Sequence, residues 1–387
     1  MAEDSRRAGG SRALRVAMIG HAFMGAVHSQ AWRTTPRVFD LPRDVEMAVV
    51  CGNDPGRAAE AAARLGWAES SADWRETVSR EDIDVVDICT PGDTHAQIAV
   101  AALAAGKHVL CEKPLANTLD EAWEMAHAAE QSRSVAMVGF TYRRVPAVTL
   151  ARELVVAGRL GTVRQVRAQY LQDWLADESA PMSWRLDKAK AGSGALGDIG
   201  AHIIDLTQFI VGERLTEVVG SAQTFVTRRP LTEGPEGATG EVTVDDAVHF
   251  LGRMGDGIMA TYEASRMALG RKNSIRLEVN GTRGSLAFDF ENMNVLELFD
   301  ANDDIEVQGF RRILVTEPEH PYLSAWWPPG HVLGYEHGFS HQVADLVAAI
   351  AGDTAPHPTF ADGLQVQQVL DAVLTSTRSG TWTRTDA

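Results

Sequence analysis

Asp198 and His202 are the first residues in this chain whose types and spacing suggest chemistry. They lie in the stretch AGSGALGDIGAHIIDL, residues 191–206. Four residues apart on a helix, a carboxylate and an imidazole share one face. That pairing suits a tuned general base, because an imidazole titrates near neutrality and a carboxylate beside it adjusts its basicity. Gly192, Gly194 and Gly197 form a flexible approach. Asp198 then stands at an N-cap position, and Ile199, Ile203, Leu206 and Ile210 recur at helical spacing. A second reading is open from these residues alone: Asp198 caps the helix and His202 is a surface histidine.

The elements around them narrow the choice. At 387 residues the chain exceeds one ordinary core, so two domains are expected. Composition is that of a globular protein, 45% hydrophobic and 23% charged. A net charge of -16 speaks against nucleic-acid or anionic-membrane partners, which require clustered Lys and Arg. Cys51, Cys89 and Cys111 form no CxxC pair and read as small hydrophobes closing buried strands of a reduced, cytoplasmic protein. Residues 1–13 carry an Arg pair with no apolar run behind it, which reads as a disordered leader and not a secretory signal. No stretch approaches the roughly 18 apolar residues of a transmembrane helix.

Residues 14–140 alternate strand and helix. LRVAMIG (14–20) is a short apolar strand ending in glycine, and a helical pattern follows through HAFMGAVHSQAW. The turn Gly20-His21-Ala22-Phe23-Met24-Gly25 is a G-x-A-x-x-G variant of the dinucleotide fingerprint, with Ala22 in place of the middle glycine. Strands are expected at 46–51, 85–89, 107–111 and 135–140. Their alternation with helices predicts a parallel, doubly wound Rossmann sheet with ligand beyond the strand C-termini. The second strand runs into Cys51-Gly52-Asn53-Asp54-Pro55-Gly56-Arg57, with glycine where a ribose-binding carboxylate would favour NAD. Arg57 close behind suits a 2′-phosphate, so NAD(P) is expected with a lean to NADP; Asp54 leaves NAD open.

EKPLA (112–116) after a Rossmann strand, with GDIGAHIIDL (197–206) further on, resembles the family of glucose–fructose oxidoreductase and inositol dehydrogenase, Gfo/Idh/MocA, over nearly the whole chain. The resemblance implies a catalytic trio of Lys113, Asp198 and His202. It also implies that Thr90, Pro91 and His95 line the cofactor; with the turn residues Gly20, Ala22, Phe23, Met24 and Gly25, and with Asn53, Arg57, Glu112 and Lys113 at the strand ends, they make up the expected cofactor contacts. The chemistry is coherent. His202 can take a hydroxyl proton, Asp198 can orient the ring or bind substrate, and the Lys113 ammonium can stabilise a developing alkoxide. YLQDWLADESAPMSWRLD (170–187) sets Trp174 and Trp184 among Gln172, Asp173 and Arg185. These read either as core tryptophans or as a carbohydrate site, where indole faces meet sugar C–H groups and polar groups meet hydroxyls. Tyr142 and Arg143, in FTYRR (140–144), match a family segment that reaches the substrate, and the LQDW and SWR pieces resemble the branch of levoglucosan and glycoside dehydrogenases. The substrate-binding set is thus Tyr142, Arg143, Gln172, Asp173, Trp174, Arg185, Asp198 and His202.

Residues 141–387 are expected to form an α+β domain for substrate binding and oligomerisation. Six strands at 217–225, 246–250, 258–265, 274–280, 284–290 and 294–299 suggest a large, open, mostly antiparallel sheet. The resemblance implies a homodimer or homotetramer through that sheet. Residues 227–243 read as a mobile loop, and 319–335 as either a substrate lid or an interface loop. His331, His337 and His341 lack a completing Cys or carboxylate, so no metal is expected. The function expected is a dehydrogenase moving a hydride between NAD(P) and a secondary hydroxyl of a sugar, glycoside or cyclitol. A redox-assisted glycosidase and a non-catalytic sugar sensor are the alternatives.

Overall fold

The computed structural model describes residues 12–235 and 237–386. The first half alternates β1 (Leu14–Ile19), α1 (Phe23–Val38), β2 (Val45–Cys51), α2 (Pro55–Leu65), β3 (Glu69–Ser71), α3 (Trp74–Ser79), β4 (Val85–Ile88), α4 (His95–Ala104), β5 (His108–Cys111), α5 (Leu119–Gln131) and β6 (Ala136–Val138). The strands pair in parallel in the order β3-β2-β1-β4-β5-β6, the Rossmann sheet expected. Helices cover both faces, so β1 and β4 are almost wholly buried and read as continuous apolar runs. The order reverses between β1 and β4, and a crevice opens beyond their C-termini. Gly25 sets the start of α1 there: a Cβ on it would lie 2.2 Å from the Gly20 carbonyl oxygen.

The second half runs α6 (Pro146–Val156), β7 (Val163–Leu171), α7 (Lys188–Ala191), α8 (Ala201–Val211), β8 (Leu215–Gln223), β9 (Arg228–Pro230), β10 (Thr239–Glu241), β11 (Ala247–Met254), β12 (Ile258–Ser265), β13 (Ser274–Gly281), β14 (Gly284–Asp289), β15 (Val295–Asp300), β16 (Arg311–Leu314), α9 (His337–Ala351), α10 (Phe360–Ser379) and β17 (Thr383–Arg384). Nine strands form one open sheet, β16-β15-β14-β13-β7-β12-β11-β8-β17, antiparallel at every pairing except β12 with β7. Its central strand, β7, follows the period of two, with Val166, Ala168 and Tyr170 buried and Arg167 exposed. α8 packs on β7 and α10 on β8, while α10 also packs on α5 and α9 on α1. A single buried cluster therefore runs from Val86 and Val109 through Phe140 and Tyr142 to Ile203 and Val369.

One expectation changes here. Where a mobile loop is expected over 227–243, β9 pairs antiparallel with β10. Buried Arg229 anchors it by donating to the carbonyls of Leu175 and Asp177, each at 2.7 Å. The leader expected over 1–13 falls, for residues 1–11, outside the described residues; Arg12 pairs with Asp84 at 2.6 Å.

Gly25→Ala should destabilise the first half by about 1–3 kcal/mol through overpacking against Gly20. Thermal or urea denaturation checks this; a wild-type midpoint would contradict the close approach.

Candidate active site

Lys113, Asp198 and His202 come together in the crevice from different elements. Lys113 follows β5, and its Nζ crosses to the second half, donating to the Asp198 carbonyl at 2.6 Å and lying 3.6 Å from Asp198 Oδ1. His202 lies one turn further along, with its ring 4.6 Å from that of Tyr142. Its Nδ1 is enclosed and has no hydrogen-bond partner among the described residues. Burial, and after it the Lys113 ammonium, holds the His202 imidazole well below its ordinary pKa, so it is neutral at neutral pH. Burial alone would raise the Asp198 carboxyl, but Lys113, Arg266 and Arg185 outweigh it and keep the pKa low. The site thus pairs a neutral base with an ammonium and an anion.

The local structure at Asp198 differs from the cap expected of it. Residues 196–200 form a π-helical turn leading into α8, and no side chain caps that helix. The buried N–H groups before α8 are taken by Asp245, whose carboxylate accepts from Gly194 at 2.7 Å and Leu196 at 2.8 Å. Nor is the glycine approach a loose one. A Cβ on Gly194 would fall 1.8 Å from the Asp245 carbonyl oxygen, so glycine is required for the close fit. Freed from capping, the Asp198 side chain faces the cations.

These residues line a cavity of about 620 Å³. One wall is Ala22, Phe23 and Met24 at the start of α1, with Thr90, Pro91 and Glu112 beside it. α1 has neither a side-chain cap nor an acidic residue in its first turn, so its N–H groups and dipole are free to face an anion. These features fit a dinucleotide pyrophosphate. Gly20 and Gly25 shape this turn without lining the cavity, and Asn53 and Arg57 sit at the start of α2, outside it. His95 laces two loops together, its Nε2 2.9 Å from the Thr90 carbonyl oxygen and its Nδ1 3.1 Å from that of Pro114.

The opposite wall holds Tyr142, Gln172, Trp184 and Arg185, together with Tyr170, Arg266, Lys272, Asn273 and Tyr335, which sequence reasoning did not single out as site residues. A hydrogen-bonded chain links Tyr142, Tyr170, Asn273 and Gln172. Tyr170 meets the Tyr142 hydroxyl at 3.0 Å and donates to Asn273 Oδ1 at 2.6 Å, Gln172 donates to the same oxygen at 2.8 Å, and the Trp174 indole donates to Gln172 at 3.0 Å. Arg185 stacks on Trp184. Tyr335 brings the end of the 319–335 segment to the cavity, while Trp326 packs edge-on against Phe39 of the first half.

Three expected substrate contacts are corrected: Trp174 lies outside the cavity wall, its indole given to Gln172. Arg143 points away into a buried pair with Asp205, Nε to Oδ2 at 2.9 Å and Nη2 to Oδ1 at 2.5 Å. Asp173 turns outward to Lys272 Nζ at 2.8 Å and the Gly270 N–H at 3.1 Å. His337 and His341 serve as hydrogen-bond partners for Gly334, Trp326 and Arg144. His28, Asp87 and Cys89 lie close enough to share a metal, but Asp87 accepts from Trp32 at 2.7 Å and flanks His28 Nδ1, whose Nε2 faces Glu112 at 3.0 Å. Those ligand atoms are already engaged with protein partners.

Comparison with known proteins gives two family matches: the "Oxidoreductase family, NAD-binding Rossmann fold" over residues 14–140 and the "GFO/IDH/MocA C-terminal domain" over residues 148–287. Levoglucosan dehydrogenase of Pseudarthrobacter phenanthrenivorans is 42% identical over 381 residues, 95% of this chain and 97% of that protein. The crystal structure of an oxidoreductase domain protein from Kribbella flavida superposes with a TM-score of 0.93 at 61% identity, covering 97% of this chain and 99% of that one. Levoglucosan dehydrogenase in complex with NADH and levoglucosan superposes with a TM-score of 0.93 at 41% identity, covering 96% and 99%.

Lys113→Met removes the cation nearest His202, which favours the imidazolium and should move the His202 titration upward toward the ordinary imidazole range. NMR titration of ring-labelled histidines reads this; an unmoved His202 would mean that the ammonium does not tune it.

Proposed function

The chain belongs to the GFO/IDH/MocA family of oxidoreductases, and from that premise we propose that it is a nicotinamide-dependent dehydrogenase. Its substrate is a secondary hydroxyl of a sugar, glycoside or cyclitol. The single observation that carries this reading is the convergence of Lys113 Nζ on Asp198, with His202 one turn away, in a cavity whose far wall is the uncapped start of α1. The nicotinamide, when bound, supplies the hydride acceptor. His202 is neutral and takes the hydroxyl proton as the C–H bond breaks. Lys113 donates to the same oxygen and stabilises its growing negative charge, while Asp198 keeps the ammonium aimed. Gln172, Arg185 and Asn273 offer hydrogen bonds to the other hydroxyls, and the Trp184 face offers an apolar platform.

For the cofactor, the chain's own residues favour NADP. Gly52 carries no carboxylate, and a Cβ there would lie 2.4 Å from His21 Nε2. Asp54 spends Oδ1 on the Arg57 N–H at 2.8 Å as the cap of α2. The Arg57 guanidinium makes no ion pair among the described residues, which suits a 2′-phosphate. The levoglucosan dehydrogenase complexes contain NADH, so the difference proposed here rests on Gly52 and Arg57. The open face of the second sheet, with Arg167, Glu263, Arg276 and Glu278 around a groove of about 610 Å³, supports a homo-oligomer through that face.

A panel of sugars and cyclitols, assayed with NAD and NADP in parallel, should give reduced cofactor with at least one substrate; no reduction across the panel would sink the reading. His202→Ala and Lys113→Ala should each slow turnover by at least ~10² while leaving cofactor Kd nearly unchanged. Arg57→Ala should weaken NADP about tenfold and leave NAD unaffected, read by fluorescence titration; equal losses for both would refute the 2′-phosphate role.

A further inference from the structure

Arg266, just past β12, is a cation wholly removed from water, its side chain 0% exposed. A buried guanidinium is costly unless its donors are met by an anion and by fixed acceptors. Its Nη2 donates to the Asp245 carbonyl at 3.0 Å, and its Nη1 lies 3.5 Å from Asp198 Oδ2. Nε has no partner among the described residues, and the guanidinium lies 5.5 Å from the centre of the Trp174 ring. Among the described residues, Asp198 is the only carboxylate within ion-pair distance of it.

The same frame holds the peptide groups ahead of α8. The Asp245 carbonyl accepts both from Arg266 and from the Ala195 N–H at 3.0 Å, while its carboxylate takes the N–H groups of Gly194 and Leu196. Gly194 leaves room for this contact, since a Cβ would come within 2.8 Å of Arg266 Nη2. Arg266 and the turn that presents Asp198 are thereby fixed to one another.

We propose that Arg266 is a positioning residue for the dehydrogenase reaction: it holds Asp198 as an anion turned toward Lys113, so that the ammonium stays aimed at the substrate oxygen. This rests on the reading of Lys113, Asp198 and His202 as the reacting groups. The charged groups acting on Asp198 are Lys113 from the loop after β5, Arg266, and Arg185 beside Trp184; Tyr142 and Tyr170 feel its charge, and Glu112 and His202 line the same cavity. Lys113 is bonded to the Asp198 carbonyl and lies 3.6 Å from the carboxylate, so removing Arg266 leaves burial less opposed. The carboxyl then titrates higher and is no longer held turned toward Lys113.

Labelling the aspartate carboxyl carbons with ¹³C and assigning Asp198 through D198N allows its titration to be followed by NMR without substrate. In the wild type and R266K, which keeps a cation, Asp198 should titrate below the ordinary carboxylate range; in R266M it should move up to or above that range. With substrate, kcat of R266M should fall about 10- to 100-fold at unchanged cofactor Kd, with partial recovery in R266K. Should R266M fail to fold, R266Q is measured in the same way. An Asp198 titration unmoved in the folded variant overturns the proposal. If Asp198 shifts as expected but no sugar or cyclitol is oxidised, the positioning stands and the dehydrogenase reading falls.

Discussion

The arrangement depends on one carboxylate shared between two cations that come from different sheets. Lys113 is carried by the loop after β5 and Arg266 by the end of β12, and Asp198 lies between them. An anion placed there offsets the cost of holding two cations in a partly dry crevice. The halves must therefore keep a fixed separation. Packing of α10 on α5 and of α9 on α1 provides it.

Behind each wall of the cavity the polar groups are tied into networks. His28, well above its ordinary pKa because Asp87 and Cys89 outweigh the effect of burial, is set between Asp87 and Glu112. Glu112 in turn accepts from the Lys113 N–H at 3.2 Å, which fixes the start of the lysine's loop. Opposite, the chain from Tyr142 through Tyr170, Asn273 and Gln172 to Trp174 sets the hydroxyl and amide groups that face the cavity. A site whose supporting groups are already paired loses little by reorganising when substrate arrives. His202 Nδ1 and Arg266 Nε, enclosed and without a partner among the described residues, are exceptions in this surround.

Much of this was legible in the residue order because it rests on local period. The alternation of strands and helices announced the first sheet, and the spacing of Asp198 and His202 placed them on one helical face. Where side-chain direction mattered, adjacency misled. Arg143 follows Tyr142 directly in a tight turn, yet the two side chains diverge, one to Asp205 and the other to Tyr170. Asp173 sits between Gln172 and Trp174 where the chain leaves β7 for a turn, and its carboxylate goes to Lys272 while the Trp174 indole goes back to Gln172. Arg266 and Asp245 were invisible for another reason. Their role exists only where β11, β12 and the turn before α8 meet, and no motif marks a contact made across 68 residues of chain. Strand β7 lies outside the six strands expected because Arg164, Gln165, Arg167 and Gln169 leave only a short apolar pattern in it.

The most direct test follows the hydride itself. A sugar deuterated at the carbon bearing the reacting hydroxyl, turned over by the wild-type protein with oxidised cofactor, should pass its label to the nicotinamide ring, one deuterium per molecule of cofactor reduced, as read by mass spectrometry. Turnover in which the glycosidic bond breaks with no net cofactor reduction, or reduced cofactor that carries no label, would contradict the account.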